Sequence, residues 1–110
     1  MNVSRALVVA ALAAMPFVAQ AQDVAQFSIK FNDGKIDPAE LVVPVGKKIK
    51  LDISNEGKTA IEFESKALKI EKVLAPGAKS SVTINPLKAG EYAFEDEYHS
   101  KTAKGKIIAK

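Results

Sequence analysis

Apolar and polar residues alternate through most of this chain, and that period of two limits what it can fold into. Six short runs show the alternation, at residues 27–31, 41–45, 49–53, 61–63, 82–84 and 92–94, and Ile107 and Ile108 follow near the end. Successive side chains of a strand point to opposite faces, whereas a helix repeats its apolar residues every 3.6 positions or so. The pattern therefore predicts half-buried β-strands.

Short stretches rich in glycine, asparagine and proline separate these runs. They read NDGK, PVGKK, NEGK, APGAK, NPLKAGE and AKGK, and such residues favour tight turns. About seven short strands joined by regular turns predict an all-β sandwich. Residues 65–74, SKALKIEKVL, stay ambiguous between a helical turn and an irregular strand.

Residues 1–21 have the layout of a cleavable signal peptide. Arg5 supplies one positive charge, an apolar run follows from residue 6 to residue 18, and Ala19 and Ala21 flank Gln20. As a helix this run would reach only about 20 Å, short of the roughly 30 Å hydrocarbon core of a membrane. We expect cleavage after Ala21, export to the periplasm and a single domain over residues 22–110.

The composition favours a well-packed sheet and excludes some classes of function. The chain has no cysteine, so no disulfide can stabilise a domain of this size. The net charge is +3, the lysines are scattered and there is no tryptophan, which does not favour nucleic-acid binding. Without a cysteine or a second histidine, nucleophilic catalysis by a triad is not expected, and no catalytic residue is predicted.

The stretch GEYAFEDEYH contains the residues with the greatest potential to bind a metal ion. It alternates like a strand and then places Glu95, Asp96 and Glu97 shortly before His99, the only histidine. In phase with the aromatic residues of the run, Asp96 is expected to face the core and Glu95 to face outward. Glu97 lies beyond the expected end of the strand, so phase does not set its direction.

Four stretches resemble the last four strands of a cupredoxin: NEGKTAIEF, LAPGAKSSVTI, GEYAFEDEYH and GKIIAK. In that family the penultimate strand reads Gly-x-Tyr-x-Phe-x-Cys-x-x-His, and the cysteine and histidine bind copper. Gly90, Tyr92, Phe94 and His99 fit this spacing, with Asp96 at the cysteine position. The resemblance implies a Greek-key β-sandwich of about seven to eight strands.

The same comparison argues against a blue-copper centre. Such a centre needs a cysteine thiolate and two imidazoles, often with an axial methionine. Here the upstream histidine position falls on Ile61, and no methionine follows His99. We therefore expect no blue-copper electron transfer.

A narrower resemblance points to iron. TAIEFESKALKIEKVLAPG and FEDEYHSKTAKG are similar to small EfeO-type cupredoxin-like proteins of bacterial periplasmic iron-uptake systems, whose Glu-aromatic-Glu element falls on Glu62, Phe63 and Glu64. The resemblance implies a periplasmic protein that binds an iron or copper ion and assists ferrous-iron uptake. Its implied partners are an iron permease and a periplasmic iron-binding protein.

Cupredoxin topology would bring the start of the 61–63 strand and the segment after residue 94 to one end of the sandwich. The candidate metal ligands are then His99, Asp96, Glu97, Glu62 and Glu64. Carboxylates with one imidazole suit Fe(II), Fe(III), Mn(II) or Cu(II) better than Cu(I), which prefers sulfur. The direction of Glu71 cannot be read from the ambiguous segment.

Two hypotheses follow from these residues. The first is a metal-binding accessory of iron uptake, with a ferroxidase-like assisting role left open. The second is a metal-free β-sandwich module that docks a periplasmic or membrane partner. The acidic run also fits a solvated loop neutralised by Lys101 and Lys104, and Glu62 and Glu64 could simply be exposed.

Overall fold

A computed structural model describes residues 24–110 as a sandwich of nine β-strands with one 3₁₀ turn. The predicted signal peptide, residues 1–21, lies outside the described residues. Over residues 24–110, no helix has the length and apolar character needed to cross a membrane.

The strands follow one another along the chain with short connections. They are β1 (Val24–Asn32), β2 (Lys35–Asp37), β3 (Glu40–Val43), β4 (Lys48–Asn55), β5 (Ile61–Ser65), β6 (Ile70–Leu74), β7 (Lys79–Ile84), β8 (Gly90–Asp96) and β9 (Lys104–Ala109). The 3₁₀ turn η1 (Glu97–His99) follows β8 directly.

The strands form two mixed sheets. One has the order β2-β1-β4-β7 and the other the order β3-β9-β8-β5-β6. The pairs β1/β4 and β3/β9 are parallel, and all other pairs in the described residues are antiparallel. The predicted all-β sandwich is therefore confirmed.

Inward-facing residues of both sheets fill the core, as the alternation predicts. Phe63 of β5 is fully buried; its ring meets Phe31 edge-on at 6.0 Å and stacks against Phe94 at 5.3 Å. The other buried apolar residues are Ile29, Leu41, Val43, Ile49, Leu51, Ile53, Ile61, Leu74, Ile84, Ala103, Ile107 and Ala109.

The structure has more strands than the sequence predicts. Strand β2 has only three residues, too few to show an alternation, and it pairs with β1 through the NDGK turn. The ambiguous segment 65–74 resolves into a turn at residues 66–69 followed by strand β6. Strand β6 is an edge strand with one fully buried residue, Leu74, which is why its pattern is unclear.

The turn predicted at AKGK is wrong, because β9 begins at Lys104 and includes Gly105. A Cβ on Gly105 would lie 2.5 Å from the Phe94 ring and 2.6 Å from the Ala39 carbonyl oxygen. The glycine here allows a close approach of β9 to its neighbours and does not mark a reversal of the chain.

Candidate metal centre

The register of β5 and β8 sets the geometry of the candidate site. Phe63 pairs with Asp96, and Glu64 pairs with Glu95. Since neighbours along a strand face opposite ways, Glu62 and Glu64 share the outer face of the sheet while Phe63 points into the core. Continuing the register by one residue places Glu97 beside Glu62.

Three carboxylates meet on this outer face. One oxygen from each of Glu62, Glu64 and Glu97 lies within 4.8 Å of the others, and we refer to these three residues as the carboxylate cluster. Glu97 is exposed, and Glu62 and Glu64 are half-buried. A cation bound between them would be reachable from solvent.

Glu64 interacts with Glu97 inside the cluster. The pKa of Glu64 is raised above its ordinary value, chiefly because its protonated form hydrogen-bonds Glu97. Partial desolvation and repulsion by Glu97 act in the same direction, and Lys66 opposes them. A cation among these oxygens would offset the repulsion and favour the ionised form of Glu64.

Asp96 faces inward, as the strand phase predicts, and is only 1% exposed. Its Oδ1 accepts hydrogen bonds from the backbone amides of Glu62, at 3.0 Å, and Tyr98, at 3.1 Å. Its Oδ2 lies 2.6 Å from Nδ1 of His99. Both carboxylate oxygens are thus engaged inside the protein.

The second ring nitrogen of His99 is also engaged. Nε2 lies 3.1 Å from the hydroxyl of Thr59, which donates to Oδ1 of Asp33 at 2.7 Å. The backbone amides of Lys58 and Thr59 also donate to Asp33. The hydrogen bond from the Thr59 hydroxyl, assisted by these amides, lowers the pKa of Asp33 below its ordinary value.

The structure divides the predicted ligands into two groups. It brings Glu62, Glu64 and Glu97 together, whereas Asp96 and His99 hydrogen-bond to each other. Ligation by Asp96 or His99 stays a prediction. For His99, a metal ion would have to displace either Asp96 from Nδ1 or the Thr59 hydroxyl from Nε2.

Glu71 reaches the same face, because it pairs with Glu64 from β6, but it lies outside the cluster. Sequence reasoning missed Asp33 and Thr59. Thr59 contacts His99 across 40 positions of the chain, and Asp33 is linked to His99 only through Thr59, so no local pattern signals either residue.

Comparison with known proteins places the chain among related sequences. Residues 5–109 match the family model described as a cupredoxin-like domain. An uncharacterized protein of Rickettsia prowazekii (strain Madrid E) is 36% identical over 86 residues, which is 78% of this chain and 69% of that protein. The predicted resemblance to cupredoxins is confirmed by the family match.

Solved structures share the fold at low sequence identity. The metal-binding domain of the Cu(I)-exporting P-type ATPase CopA of Streptococcus pneumoniae D39 has a TM-score of 0.70 at 12% identity, covering 79% of this chain and 86% of that one. Auracyanin A, a blue copper protein from Chloroflexus aurantiacus, has a TM-score of 0.66 at 14% identity, covering 79% and 99%.

Proposed function

Because this chain belongs to the family of cupredoxin-like domains, we propose that it is a periplasmic metal-binding protein that assists ferrous-iron uptake. In this proposal the carboxylate cluster of Glu62, Glu64 and Glu97 holds the ion. The narrower resemblance to EfeO-type proteins supports iron as the physiological metal, with an iron permease and a periplasmic iron-binding protein as partners.

The single observation that carries the proposal is the convergence of three carboxylate oxygens within 4.8 Å. Oxygen ligands suit Fe(II), Fe(III) and Cu(II), and they do not suit Cu(I). The chain has no cysteine, and both of its methionines, Met1 and Met15, precede the described residues. The ligands available in the described residues therefore differ from the sulfur ligands that would select Cu(I). This difference holds even though proteins of similar structure bind copper.

A blue-copper centre does not fit the residues present. The cysteine position holds Asp96, whose two oxygens are already hydrogen-bonded, and the upstream histidine position holds the buried Ile61. Copper(II) should nevertheless bind the cluster in vitro, because Cu(II) heads the Irving–Williams order for divalent ions.

The exposure of the cluster supports a role in delivering an ion. A cation held by one exposed and two half-buried carboxylates can be exchanged without opening the fold. This suits a protein that passes iron to a permease more than one that stores it. We propose binding and transfer, and no turnover step.

Anaerobic calorimetric titration of the protein with Fe(II), and separately with Cu(II), tests the proposal. We expect one saturable ion per chain, and we expect Glu64→Gln to weaken binding at least tenfold, about 1.4 kcal/mol. Glu71→Gln is the matched control, because it removes the same charge from the residue that pairs with Glu64. Absence of saturation would contradict the proposal, as would equal weakening by both variants.

Metal affinity should also fall as the pH is lowered. A cation binds the ionised form of Glu64, and the raised pKa of this group means that protons compete at higher pH than for an ordinary glutamate. Titrations from about pH 7 to about pH 5 should therefore show progressively weaker binding. The metal affinity of Glu64→Gln should depend less steeply on pH. An equally steep pH dependence in that variant would contradict the role given to Glu64.

A second candidate function is the metal-free interaction module. Val73, directly across from Glu62, is 57% exposed, and Tyr98, next to Glu97, is 52% exposed. Exposed apolar side chains beside a charged cluster are a composition found at protein interfaces. If the protein binds neither Fe(II) nor Cu(II), this surface becomes the leading candidate for docking a periplasmic or membrane partner.

A further inference from the structure

The residues at the copper-binding positions of the cupredoxin pattern are fully engaged in hydrogen bonds. Asp96 is buried and accepts from two backbone amides and from His99. In the described residues, every buried side-chain nitrogen and oxygen has a hydrogen-bond partner. The pair is therefore satisfied without a metal.

Both ring nitrogens of His99 already have partners inside the protein. Nε2 lies 3.1 Å from the Thr59 hydroxyl, which donates to Asp33. Nδ1 lies 2.6 Å from Oδ2 of Asp96. A metal ion bound by the ring would therefore have to displace one of these two partners.

The same contacts hold the carboxylate cluster in place. Oδ1 of Asp96 binds the backbone amide of Glu62 on β5 and that of Tyr98, which follows Glu97 in η1. One buried oxygen thus joins the two backbone segments that carry Glu62 and Glu97. His99 in turn fixes the Asp96 carboxylate, and the link through Thr59 to Asp33 ties this end to the β1–β2 turn.

We propose that Asp96 and His99 are positioning residues for the carboxylate cluster and are not metal ligands. This inference rests on the proposed function. It means that the metal site lies on the outer face of the five-stranded sheet and not between these two positions. The His99–Asp96 hydrogen bond joins the two residues that stand at the copper-ligand positions of the cupredoxin pattern.

Copper(II) alone serves as the probe, because pulsed electron paramagnetic resonance detects the remote nitrogen of a coordinated imidazole. The wild-type protein loaded with one equivalent of Cu(II) should show no imidazole nitrogen modulation. A modulation that is present in the wild type and lost in His99→Ala would make His99 a ligand, and would overturn the positioning role while leaving metal binding intact.

Affinities measured on matched variants complete the test. Loss of an outer-sphere partner typically costs 10- to 100-fold in metal affinity, and we expect that range for His99→Ala. His99→Asn should restore affinity to within about threefold, because its amide can donate from the position of Nδ1. Asp96→Asn should likewise retain most of the affinity through its remaining carbonyl oxygen.

Two further outcomes separate this inference from the proposed function. If the wild type binds no Cu(II) and no Fe(II), the proposed function fails and the inference fails with it. The other outcome is that the wild type binds the metal ion, Glu64→Gln abolishes binding, and His99→Ala binds as tightly as the wild type. In that case the carboxylate cluster remains the metal site and the positioning role is wrong.

Discussion

Replacing Phe63 with alanine should lower the free energy of unfolding by about 3–5 kcal/mol, the range for deleting a buried aromatic side chain. Phe63 is fully buried and contacts two other rings, Phe31 from the opposite sheet and Phe94 from the neighbouring strand. The substitution removes both ring contacts and leaves a cavity that the two sheets cannot close without moving.

This loss is large for so small a domain. Folded domains are stable by about 5–15 kcal/mol, so the variant would retain little margin. Denaturant unfolding followed by circular dichroism measures the change. Val73→Ala is the control, since Val73 is 57% exposed and its loss should cost less than about 0.5 kcal/mol. A cost below about 1 kcal/mol for Phe63→Ala would contradict the packing described here.

Replacing Asp96 with alanine should cost about 3 kcal/mol, because it removes a buried acceptor that serves two backbone amides and a ring nitrogen. The change leaves the backbone amides of Glu62 and Tyr98 without an acceptor and removes the partner of His99 Nδ1. An unpaired buried donor costs about 1–3 kcal/mol, and His99 keeps partial access to water, which limits the total.

Asp96→Asn separates charge from hydrogen bonding in the same unfolding experiment. Its carbonyl oxygen can still accept from both amides, so we expect a loss of only about 1 kcal/mol. Equal destabilisation by alanine and asparagine would show that the negative charge carries the stabilisation, and that the shared Oδ1 acceptor does not. Little effect from either substitution would mean that the bonds of Asp96 are dispensable.

Much of the fold can be predicted from the alternation, because the phase of a strand determines which of its side chains face the core and are buried. Phe94 and Asp96 share a phase and are both buried, as the sequence predicts. An alternation becomes visible only over several residues, so the three-residue strand β2 cannot be predicted in this way. It also cannot show that Gly105 serves close packing, since that depends on Phe94 and Ala39.

The site is only partly predictable, for a related reason. Strand phase and a shared end of the sandwich bring Glu62 and Glu64 toward Glu97, and the register then joins them. Thr59, which contacts His99, and Asp33, which contacts Thr59, lie in two other loops, and contacts between loops leave no periodic trace in a sequence. Their positions in the cupredoxin pattern suggest that Asp96 and His99 bind metal, whereas the structure shows them hydrogen-bonded to each other.

Anomalous diffraction from crystals grown anaerobically with Fe(II) is the most direct test of where a metal binds. Data collected on both sides of the iron absorption edge locate the ion without reference to any assumed ligand. We predict one iron peak among the carboxylates of Glu62, Glu64 and Glu97, with the His99–Asp96 hydrogen bond intact. A peak between Asp96 and His99, or no ordered iron at all, would contradict the carboxylate cluster as the metal site.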